Sequence, residues 1–219
     1  MGNNKLLSNF VFQSTFTMEE NNYLKDISEI KDLMNRSSRF ISLSGLSGIF
    51  AGLYAISGAL IAYYFIFPKF GEVLTLYSWN FKMLLVLLAS VALLSVVTAF
   101  LLTSQKAKKN KERIWDITTQ RLLINFLIPL VTGGIYIIIK LNSQHYGLTA
   151  SLMLIFYGLA LVSASKYTLG NIKYLGYAEI AMGLICAAIP GFGFWFWILG
   201  FGVLHIIYGS IMYIQEKKR

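Results

Sequence analysis

Apolar residues fall along this chain in long runs that neither alternate nor keep one polar face, and charged stretches separate them. Six runs stand out, at about 40–67, 81–102, 122–141, 148–165, 174–189 and 194–214. A helix needs about 20 predominantly apolar residues to cross about 30 Å of hydrocarbon. Most of the runs reach that length, and the fifth is short, ending at Pro190-Gly191. Inside a bilayer every backbone polar group must be satisfied by the segment itself, which leaves helices or a closed barrel. A barrel would show alternating segments of about ten residues. The pattern therefore predicts an all-α fold, an integral membrane helical bundle of six transmembrane helices over residues 40–219. Pro129 and the Gly133-Gly134 pair fall inside the third run and mark a predicted kink.

Charge sets the orientation. Of the 19 Lys and Arg residues, an N-in, C-in arrangement of six spans leaves only Lys69, Lys82 and Lys140 outside. Cytoplasmic loops collect positive charge, so this bias predicts both termini inside, and an odd number of spans would mix the two sets of loops. Aromatic residues agree, because amphipathic rings collect at the two interfaces. Tyr63, Tyr64, Phe67, Tyr77 and Trp79 crowd the first outer loop, and Trp115, Tyr167, Tyr174 and Tyr213 mark the inner boundary.

Residues 1–39 differ. They form a cytoplasmic N-terminal segment whose basic-then-apolar beginning is too short and broken for a signal peptide. Met18 opens a better helix and is a candidate start of translation. Over 19–39 acids lead and bases trail, as the helix dipole favours, and Tyr23, Ile27, Ile30 and Met34 recur at steps of four and three. That spacing predicts an amphipathic helix with one apolar stripe. The stripe either packs on the protein's own inner loops or docks a partner, a second copy of the chain or another membrane or cytoplasmic protein. Its charges nearly cancel, which makes it a poor anchor for anionic lipid.

Composition narrows the chemistry. The chain has 219 residues, 56% hydrophobic and 13% charged. A soluble domain carries about a quarter of its residues as charge, so much of this surface is expected to face the lipid bilayer. The net charge of +9 is spread between apolar runs, a pattern that predicts no nucleic-acid partner. One cysteine, Cys186, supports no disulfide framework. With two histidines and no Ser-His-Asp set, phosphate loop or dinucleotide fingerprint, the sequence predicts no catalytic residues, no metal and no cofactor.

Two features remain as candidates. The first helix carries a small-residue face, Gly48, Gly52, Ala55 and Ala59, of the kind that lets helices approach closely; it serves packing within the chain or a homodimer seam. The second candidate is the pair Glu179 and His205. Glu179 shares a helix face with Gly176 and Gly183, and His205 one with Gly202 and Gly209, so both polar groups are expected to point into the bundle. Counted from the turn at Gly191, their depths differ by only about 3 Å at 1.5 Å per residue. An ionisable residue at that depth is a functional-site candidate by default, and a structural hydrogen bond is the alternative.

The stretches RSSRFISLSGLSGIFAG, LIFYGLALVSASKYTLGNIKYLGYAEI and GFGVLHIIYG resemble a family of small, uncharacterised bacterial polytopic inner-membrane proteins. The resemblance covers about Met18 to the end. It implies a multi-pass protein of the bacterial inner membrane and brings no established activity. The residues themselves lead to a non-enzymatic protein that acts through interactions, in an accessory, sensor or envelope-maintenance role. The alternative is a small transporter or proton-coupled channel that uses Glu179 and His205.

Overall fold

A computed structural model of the chain describes residues 30, 44–67, 77–109, 115–168 and 172–218. The chain divides into two compact units, Met1–Arg39 and Phe40–Arg219. In the first unit Ile30 is helical and 57% exposed. The rest of the expected helix 19–39, with Tyr23, Ile27 and Met34, lies outside the described residues.

The second unit is helical. Helix α1 spans Gly45–Ile61 and continues through π-helical turns at Ala62–Ile66. Helix α2 is Trp79–Lys109, α3 is Ile117–Asn142, and α4 is Thr149–Ala164 with a 3₁₀ turn at Ser165–Tyr167. Helix α5 is Ile172–Ala188. Helix α6 begins at Gly193–Trp197, widens into a π-helical stretch at Ile198–Leu204, and returns to α geometry over His205–Lys217.

Local chemistry sets several of these limits. Asp116 caps α3, its Oδ1 accepting from the Thr119 amide at 2.7 Å and the Thr119 hydroxyl at 2.9 Å; such caps contribute about 1 kcal/mol. Helix α2 runs past the apolar run to Lys109 because lysines at 106, 108 and 109 suit a helix C-terminus. Helix α5 stops before Pro190, and Gly191, at φ +91°, makes the turn into α6. Helix α3 continues through Pro129 and the Gly133-Gly134 pair without a break.

Among the described residues five helices are long and apolar enough to cross a membrane: Gly45–Ile66, Trp79–Lys109, Ile117–Asn142, Thr149–Tyr167 and Gly193–Lys217. Helix α5 has 17 residues, about 25 Å at 1.5 Å per residue, and falls short of the hydrocarbon thickness. Helices α4 and α5 pack as a close hairpin, α3 lies on α4, α1 lies between α2 and α6, and the π stretch of α6 touches α1 and α5. Leu85, Val86, Leu93 and Phe100 of α2 and Ile128 and Ile138 of α3 are exposed. So much apolar surface suits lipid and not water.

Small residues determine how closely the helices approach. A Cβ added at Gly52 would stand 2.5 Å from the Gly202 carbonyl oxygen, and one at Gly48 would stand 3.1 Å from Gly209 Cα. Ala55 and Ala59 are buried on the same helix. The face made by Gly48 and Gly52 is thus occupied within the chain, by α6, and not left open as a seam for a second copy. At one end of the bundle Glu216 Oε1 accepts from the Gly45 amide and from Lys106 Nζ, each at 2.9 Å. That oxygen joins the start of α1 to the ends of α2 and α6.

Candidate functional site

The α4–α5 hairpin is held by backbone proximity. A Cβ at Gly158 would meet the Gly176 oxygen at 2.6 Å, and the Ser151 hydroxyl donates to the Gly183 oxygen at 2.8 Å. This packing fixes Tyr157 on α4 and Glu179 on α5, one residue from Gly158 and three from Gly176. Glu179 is completely buried, as is Leu154 beside it.

Helix α6 supplies the third wall. A π turn takes in one extra residue and shifts the carbonyls out of α register. Gly200 lies within that stretch, and a Cβ there would stand 2.7 Å from Glu179 Oε2 and would also strike Leu154. Only a residue without a side chain lets the carboxyl rest against α6 at this point. The Gly200 carbonyl lies 3.1 Å from His205 Nδ1. Glu179 Oε1 is 3.4 Å from the same nitrogen, and the Tyr157 hydroxyl is 2.9 Å from Nε2.

These distances assign the protons. A carbonyl oxygen can only accept, so Nδ1 carries hydrogen and donates to Gly200. In the neutral ring Nε2 then accepts from the Tyr157 hydroxyl. The result is a hydroxyl–imidazole–carboxyl array spread over α4, α6 and α5. Neither Glu179 oxygen has a hydrogen-bond partner, because 3.4 Å is too long for a good N–H···O bond. A carboxylate alone at this depth would cost several kcal/mol, and a carboxylate–imidazolium pair would close to a hydrogen bond that neither Glu179 oxygen makes, so the array is a protonated acid beside a neutral imidazole.

Aromatic rings close the site. Phe201 stacks on His205 with centroids 6.1 Å apart, and Tyr157 lies 5.1 Å from Phe201 and 6.1 Å from Phe126. Trp197 lies 5.2 Å from Phe201, with its indole Nε1 buried and without a hydrogen-bond partner. Such a wall keeps the local dielectric low and strengthens each polar contact inside it. The array can hold and exchange one proton.

The structure brings Glu179 and His205 together. It leaves the small face, Gly48, Gly52, Ala55 and Ala59, to helix packing. Sequence reasoning missed Tyr157 and Gly200. Tyr157 stands in the middle of a run, too deep for an interfacial ring, and that depth was the available signal. Among the described residues no cluster of three His, Cys, Asp or Glu side chains is placed to hold a metal. Comparison with protein-family models, curated proteins and solved structures gives no match to this chain.

Proposed function

We propose that this chain is a non-enzymatic multi-pass protein of the bacterial inner membrane that couples protonation of the Glu179–His205–Tyr157 array to movement of α4, α5 and α6, as a small proton-coupled transporter or channel. One observation carries the reading: a completely buried carboxyl with no hydrogen-bond partner, beside an imidazole–phenol pair, on a π-widened helix. Ionisable groups at membrane depth mark ion and proton pathways, and π-bulges recur at functional sites. A tightly packed apolar bundle gains nothing in stability from such a group, since an apolar replacement of equal volume is often neutral or better.

Six spans with both termini inside fit this reading. The Lys and Arg distribution favours it, and so does Glu216, which ties the start of α1 to the end of α6 at one end of the bundle. Helix α5 then crosses as a short span, which the local bilayer meets by thinning.

The test is proton flux into proteoliposomes that hold a pH-sensitive dye, driven by an imposed potential. Wild-type protein is expected to acidify the lumen and Glu179→Gln to abolish that flux with the fold intact; a wild type no faster than empty vesicles contradicts the proposal. A second reading, interaction through residues 19–39, is favoured by the exposed helical Ile30. It predicts that replacing Ile27, Ile30 and Met34 together by Ser abolishes partner co-purification and spares membrane insertion.

A further inference from the structure

A second polar group lies along α6 from the array, toward the end that carries Glu216. At about 100° per residue, His205, Tyr208, Met212 and Glu216 fall in one stripe of the helix about 80° wide. Tyr208 follows His205 by about 4.5 Å and precedes Glu216 by about 12 Å along the axis. Its hydroxyl is buried and has no hydrogen-bond partner. On α2 the Thr103 and Ser104 hydroxyls share that condition, and they stand within one turn of Lys106, whose ammonium meets Glu216 at 2.9 Å. Three unpartnered hydroxyls thus lie on α2 and α6, Thr103 and Ser104 within one turn of the ion pair's Lys106 and Tyr208 between His205 and Glu216.

Buried hydroxyls without protein partners are costly in hydrocarbon, and ordered water is what satisfies such groups where a bundle interior is polar. We infer that Tyr208, Thr103 and Ser104 line a hydrated path, and that this path connects the Glu179–His205–Tyr157 array to the Lys106–Glu216 end of the bundle. The inference rests on the proton-coupled reading and names the side from which that array exchanges protons. Each transfer is an exchange between hydrogen-bonded neighbours: a hydroxyl or water accepts one proton and releases another, and no group is consumed. From protonated Glu179 and neutral imidazole, the Tyr157 hydroxyl hands its proton to Nε2 and is reprotonated from the path, and the imidazolium so formed gives its Nδ1 proton to Glu179 once that carboxyl has released its own. The titratable and charged groups facing this route are Glu179 from α5, Tyr157 from α4, Lys106 from α2, and Tyr208 and Glu216 from α6.

Two measurements test it in the full chain. In a Cys186→Ala background, Tyr208→Cys should react with a small cationic thiol reagent supplied from the inner face, because modification needs thiolate and therefore water. Cys at Ile207, an exposed apolar position, should stay inert in lipid. In proteoliposomes Tyr208→Phe and Thr103→Val should each lower proton flux at least ten-fold with unchanged thermal unfolding. An unreactive Cys at 208, or wild-type flux in Tyr208→Phe, overturns the path while leaving the Glu179 reading intact. Absence of flux in the wild type overturns both, and is recognised because it precedes any variant.

Discussion

Gly52→Ala tests whether backbone contact between α1 and α6 holds the bundle together. The added methyl would stand 2.5 Å from the Gly202 oxygen, 2.6 Å from Ile206 Cγ1 and 3.1 Å from the Ile206 amide. Ile206 can turn its side chain away, but Gly202 offers only backbone. A carbon meets a carbonyl oxygen comfortably at about 3.3 Å or more, so the two helices must separate by about 0.8 Å. Overpacking of this kind costs about 1–3 kcal/mol. Alanine returns about 1 kcal/mol through helix propensity, which leaves a net loss of about 0–2 kcal/mol. Gly134→Ala is the matched control, because nothing lies within 4 Å of its added Cβ and only the propensity gain of about 1 kcal/mol applies. Unfolding of both variants in mixed micelles by SDS titration, followed by tryptophan fluorescence, reads the difference directly. Gly52→Ala as stable as the wild type, with Gly134→Ala no better, would refute the close-packing argument.

Topology is open to cysteine accessibility in intact cells: Cys at Lys109 or Lys218 should resist an impermeant thiol reagent and Cys at Ser143 should react, and strong labelling at Lys109 would reverse the orientation. Replacing Ser151 by Ala leaves the Gly183 carbonyl without its side-chain donor, and intramembrane hydrogen bonds contribute about 0.6 kcal/mol, so a loss of that order is expected in the same SDS titration; a loss several times larger would mean that the hairpin depends on this bond.

Much of the helical layout was legible because lipid imposes a length and a composition on each crossing. The runs at 81–102 and 194–214 underestimate α2 and α6, since lysines beyond the hydrocarbon break the apolar pattern without breaking the helix. The two π-helical stretches were not legible. Gly202 read as a small-face residue, Gly200 was not singled out, and nothing local shows that packing against Glu179 and Ile56 leaves a widened turn there. Tyr157 was missed for a related reason: its depth sets it apart from an interfacial ring, but only α6 places a histidine nitrogen opposite its hydroxyl. Depth counting from Gly191 works for Glu179 and His205 because one turn joins their helices; no such count relates Tyr157 to His205 across 48 residues. The stripe over 19–39 stays an expectation, with Ile30 its described member.

Solid-state nitrogen NMR of histidine in bilayers tests the array most directly. The chain has two histidines, and His145→Asn leaves His205 as the sole source of ring signals. The geometry predicts a neutral ring protonated at Nδ1, where the Gly200 carbonyl accepts, with Nε2 as an acceptor whose resonance moves when Tyr157→Phe removes the donor. A ring protonated at Nε2 alone, or an Nε2 resonance indifferent to Tyr157→Phe, would contradict the hydroxyl–imidazole–carboxyl array.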